Sequence, residues 1–71
     1  MGYDLDILIK NIRTIRENHG LSAYKLEKLI NWQHSTIHNY ETGRNIPKMD
    51  FVIDFCNYFK VNVEDLLRKE L

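Results

Sequence analysis

A chain of 71 residues has room for one domain, 1–71, and one core, and a 44% apolar content is that of a folded protein rather than a disordered one. Its single cysteine, Cys56, excludes an internal disulfide and a zinc site built from four thiolates. Ten basic and ten acidic side chains cancel, so no global field draws the chain to an anionic partner.

Leu5, Leu8, Ile9, Ile12 and Ile15 recur at steps of three and four and predict a first helix, capped by Asp4 or Asp6. The opening MGYDLDILIK places acid where a signal peptide carries its basic region, and Asp6 stands where acylation of Gly2 wants Ser or Thr. No apolar run approaches the ~20 residues that span a bilayer, so a reducing cytoplasm is the expected compartment. Asn18–His19–Gly20 ends the helix, with Gly20 left-handed and Leu21 folding back as the apolar residue after the cap. Ser22 is the N-cap of a second helix whose buried side is Leu26, Leu29 and Ile30. Asn31 suits a left-handed turn position, and Trp32 is expected to plug that turn against the core.

A third helix is expected from Gln33 or His34, with Ile37 and Tyr40 on its inner face and Gly43 as its stop. Arg44–Asn45–Ile46–Pro47 reads as a loop, because Pro47 disfavours helix at Ile46. Phe51, Val52, Phe55, Cys56 and Phe59 mark a fourth helix, closed at Lys60–Val61. Cys56 is then a small buried hydrophobe rather than a nucleophile. Asn62 caps a fifth helix, Asp65 completes a capping box, and Val63, Leu66 and Leu67 turn inward. The fold class is all-α, a compact five-helix bundle without strands.

Leu21 to Gly43 carries the functional signal. Two short helices joined by a three- or four-residue turn must cross, so the unit 22–42 leaves one face of its second helix free. That face carries His34, Ser35, His38 and Asn39, and a polar helix of this width enters the major groove of DNA. From Lys10 to Lys48 seven basic residues stand against three acidic ones, so a basic middle is backed by acidic ends. Lys25, Lys28, Thr42, Arg44 and Lys48 are the candidates for phosphate, together with the N-termini of the second and third helices. Asn39 suits adenine, while His34 and Ser35 offer single hydrogen bonds to guanine or adenine edges; with no Arg on the face, an A·T-leaning site is expected. His38 has a second reading as a capping or stacking group beside Tyr40. Because two reading groups are histidines, binding is expected to tighten as pH falls from about 7.5 to about 6.

These segments resemble the Cro/repressor helix-turn-helix family, also called Xre-like, over nearly all of Ile9 to Leu67. The resemblance rests on IRTIR at 12–16, LSAYKLEKLI at 21–30, STIHNYETGRNIP at 35–47 and VNVEDLL at 61–67. It implies a lambda-repressor-like DNA-binding domain, working as a homodimer on a palindromic operator of double-stranded DNA. It places the recognition helix after a cap at Gln33, with His34, Ser35 and Asn39 at base edges and His38 beside them. It also pairs Arg16 with Glu41 as an internal salt bridge, a reading that the residues permit unaided because a partly buried charge needs a partner. The alternative is that both face solvent.

Three departures from the family pattern carry expectations of their own. Ala23 replaces a Gln that grips phosphate, which removes one backbone contact. Glu27 replaces a customary alanine, and is expected to widen the crossing or to push its carboxylate out along the surface. Asn31 and Trp32 form a bulkier plug that alters the angle of the third helix. A single module covers only ~600–1,000 Å² of DNA, which favours a dimer. Phe51, Val52, Ile53, Phe55, Tyr58, Phe59 and Leu71 are the expected surface for it. The rival function is a protein-interaction module, antitoxin-like, using the same bundle without DNA. No enzyme is expected. His34 and His38 lack the Glu of an H-E-x-x-H site, Glu41 with Tyr40 makes no acid–base pair, and no cleft of substrate size is foreseen. No metal, cofactor or small-molecule ligand is implied.

Overall fold

The computed structural model describes residues 4–71, so Gly2 lies outside the described residues. All its regular elements are helices: α1 (Leu5–Asn18), α2 (Ala23–Leu29), α3 (Thr36–Glu41), α4 (Met49–Phe59) and α5 (Val63–Arg68). α1 packs on α3 and α5, α2 on α3, and α4 on α5. Each helix contributes to one core, formed by Leu8, Ile12 and Ile15, Leu26, Ile37 and Tyr40, Phe51, Val52, Phe55 and Cys56, and Leu66. Phe51 lies at its centre, edge-on to both Trp32 and Tyr40.

Asp4, not Asp6, caps α1: its Oδ1 accepts from the N–H groups of Asp6 and Ile7 at 2.9 and 3.2 Å. Ser22 Oγ accepts from Lys25 N–H at 3.0 Å at the start of α2. Asn62 Oδ1 accepts from Glu64 and Asp65 N–H groups at the start of α5. The expected capping box there is one-sided, because the Asp65 carboxylate is drawn to Lys69 Nζ, 3.2 Å away.

Three helices end by one device. A left-handed residue, Gly20, Asn31 or Lys60, turns the chain after α1, α2 or α4. The next N–H then closes on the carbonyl five residues back: Leu21 on Arg16 at 3.2 Å, Trp32 on Glu27 at 2.8 Å, and Val61 on Cys56 at 3.0 Å. Leu21, Trp32 and Val61 pack against the core at these corners. These rigid corners fix where α2 and α3 lie.

Four expectations need correction. Leu29 does not belong to the buried side of α2; it is 49% exposed, because the crossing α3 leaves only Leu26 fully enclosed. The third helix starts at Thr36, two to three residues later than its polar face suggests. Trp32 explains the delay: its ring packs on Phe51 and its Nε1–H donates to Asp54 at 2.8 Å, which draws the chain out toward α4 before it can coil. Phe51, Val52 and Phe55 are core residues, not a surplus for dimerisation, and from that set Ile53, Tyr58 and Leu71 remain exposed. Finally, Glu27 neither widens the crossing nor points outward. It is 2% exposed, with its carboxylate against the start of α3.

Candidate nucleic-acid interface

The delayed start of α3 changes what its face is made of. Gln33, His34 and Ser35 form a turn, closed by Thr36 N–H on the Gln33 carbonyl at 3.2 Å, and Ser35 takes φ +72. His34 and Ser35 therefore sit on a bend at the amino end of α3, while His38 and Asn39 lie on the helix itself. His34 and His38 are exposed, and Ser35 and Asn39 half-buried. The four form a patch running from turn to helix rather than one helical stripe. Thr36, half-buried in the first turn, belongs to the same patch and is not singled out by the residue pattern.

Ser35 makes no side-chain cap bond, so the open amino end of α3 needs another acceptor. Glu27 supplies it from α2. Its Oε2 accepts from Ile37 N–H at 2.8 Å, and its Oε1 from Ser35 N–H at 3.2 Å. A carboxylate at this end also opposes the helix dipole favourably. With those N–H groups engaged, the amino end of α3 is not the phosphate cradle that its position suggests. The 2% exposure of a carboxylate is tolerated because both oxygens are bound.

At the other end of α3, Glu41 receives Arg16 through two parallel bonds, Nε to Oε2 at 2.8 Å and Nη2 to Oε1 at 2.9 Å. Nη1 of the same guanidinium donates to the Leu21 carbonyl at 2.7 Å, and Arg13 Nε lies 3.4 Å from Glu41. The bonds to Glu41 hold the Arg16 pKa above its ordinary value against the opposing effect of burial. Ile37 and Tyr40 are buried beneath the patch, and Trp32 is half-buried at its edge. Thr42 Oγ1 donates to the carbonyls of His38 and Asn39, at 2.9 and 3.4 Å, which ties it to its own helix.

The cations divide into two groups. Lys10, Arg13, Arg16, Arg68 and Lys69 each have a carboxylate within 4.0 Å. Among the described residues Lys25, Lys28, Arg44, Lys48 and Lys60 have none, and all five are exposed. Lys25 and Lys28 lie on α2 and Arg44 and Lys48 on the loop between α3 and α4, whereas Lys60 ends α4. Lys28 Nζ lies 4.9 Å from the centre of the Tyr24 ring, and Tyr24 meets His34 edge to face at 5.4 Å. Tyr24 escapes notice in the sequence because a lone aromatic on a short polar helix has no pattern to announce it.

An open groove of about 750 Å³ separates the α2–α3 turn from α4, where no cleft was foreseen. Trp32, Thr36, Tyr40, Asn45, Asp50 and Asp54 line it. Cys56 lies in the core, where burial pushes its thiol pKa up. No cluster of three or more metal-ligating side chains occurs among the described residues.

A family model described as a helix-turn-helix domain matches residues 11–69, from within α1 to just beyond α5. The match agrees with the resemblance carried by the sequence segments. No curated protein and no solved structure matches the chain significantly.

Proposed function

This chain belongs to the helix-turn-helix domain family, and on that premise we propose that it regulates transcription by binding double-stranded DNA at specific sequences. It acts as a repressor, by occupying a palindromic operator as a homodimer in the cytoplasm. The observation that carries this reading is that four of the five cations without a carboxylate partner, Lys25, Lys28, Arg44 and Lys48, belong to α2 and to the loop that follows α3. Coulombic attraction to phosphate needs cations that are free, and a surface that spends its carboxylates elsewhere provides them. Lys25, Lys28, Arg44 and Lys48 position the duplex, with Thr42 near the same backbone. Asn39, His38, Ser35 and His34 reach base edges, with Asn39 suited to adenine.

Ile53, Tyr58 and Leu71 are the exposed apolar residues left for a dimer in the C-terminal region. The second reading is a protein-binding module, favoured by exposed Ile46, Met49 and Ile53, the last of which lines the groove. Selection of bound fragments from random duplex DNA separates the two. A two-fold symmetric consensus is expected; absence of any enrichment would transfer weight to the protein partner. On the selected site, four phosphate contacts per protomer should give a log–log salt slope of roughly −3 to −4 per protomer. Sedimentation showing one protomer per operator would refute the dimer.

A further inference from the structure

Glu27 acts on more than the backbone of α3. Its Oε1, which accepts from the Ser35 N–H, lies 3.8 Å from Nδ1 of His34. That distance is too long for a hydrogen bond; a carboxylate only 3% exposed faces the Nδ1 side of an imidazole that is itself 74% exposed. The Tyr24 ring meets the imidazole edge to face at 82°, with centroids 5.4 Å apart. Lys28 Nζ lies over that Tyr24 ring. A carboxylate facing Nδ1 repels a lone pair there and attracts a proton. The neutral ring therefore carries its hydrogen on Nδ1, and its exposed Nε2 is left as an acceptor.

We propose that Glu27 is a positioning residue that makes His34 a hydrogen-bond acceptor toward base edges at neutral pH, so that it selects adenine or cytosine. This rests on the DNA-binding reading above. In the major groove the exocyclic amines of adenine and cytosine are the donors, whereas guanine O6 and N7 and thymine O4 would oppose a lone pair. The buried carboxylate thus decides which ring nitrogen faces out.

Nitrogen-15 NMR of the free protein reports the tautomer with no DNA present. The Nδ1-protonated form is expected for His34, moving toward the Nε2-protonated form in Glu27→Gln. A wild-type His34 carrying its proton on Nε2 overturns the proposal, even if Glu27→Gln does not fold. Duplex selection at neutral pH is the second arm. One base pair per half-site should favour adenine or cytosine about fivefold. His34→Ala should abolish that preference at that position alone. Unchanged base preference in His34→Ala overturns this proposal while leaving DNA binding intact. Wild-type protein that enriches no duplex overturns the DNA-binding reading, and the base preference with it.

Discussion

Three nitrogens of the Arg16 guanidinium are hydrogen-bonded, two to Glu41 and one to the Leu21 carbonyl, and the Glu41 side chain is only 6% exposed. Removing the carboxylate strands a largely enclosed cation, so Glu41→Ala should lower stability by about 3 kcal/mol in urea titration. The double variant Arg16→Met with Glu41→Ala should recover part of that loss. Cys56 gives a pH-dependent prediction. Burial raises its thiol pKa above the ordinary 9.0, so above that pH the unfolded chain ionises first. Stability is therefore intact below about pH 9 and declines as pH rises past it, and Cys56→Ala should flatten the decline. At this scale the sequence is informative where chemistry forces a partner, as for a half-buried arginine. It is silent where a side chain has a choice. Glu27 has the composition of a surface residue, and only the unsatisfied amino end of α3 explains why it turns inward.

Among the elements, the corners are more legible than the helix they deliver. Gly20 and Asn31 each follow a helical apolar stripe and precede an apolar residue, so the left-handed turn is written locally there; at Lys60 the residue pattern announces only the end of α4. Lys60 is the costly version of the device, because its Cβ opposes φ +60. Lys60→Gly should raise stability by about 1 kcal/mol, seen as a higher urea midpoint with an unchanged slope. The start of α3 illustrates the limit of local reading. Gln33, His34 and Ser35 can all open a helix, and the outcome is decided by Trp32 bonding Asp54, 22 residues away. The groove is equally invisible in the sequence. A consequence for recognition is that the reading patch begins on a turn fixed by α2, not on the first turn of a longer rod.

For the whole molecule, five helices and one core were legible because apolar spacing and caps agree at every step. What joins the ends of the chain was not. Asn11 falls on the apolar stripe of α1, between Leu8 and Ile12, and a polar amide there is the clue that something polar must meet it. The structure supplies the end of α5 and the backbone after it: Asn11 Nδ2 donates to the carbonyls of Leu66 and Lys69 at 2.8 and 2.6 Å, and its Oδ1 accepts from Leu71 N–H at 3.0 Å. These contacts span 55 to 60 residues, whereas α1, α2 and α3 meet through much shorter loops. Closing so wide a loop carries the larger entropic barrier, which places the amide clasp late on the folding route. Asn11→Ala should then accelerate unfolding several-fold in a stopped-flow experiment while leaving the refolding rate nearly unchanged. The lifetime of the native state, rather than the speed of reaching it, would be set by one amide that touches no DNA.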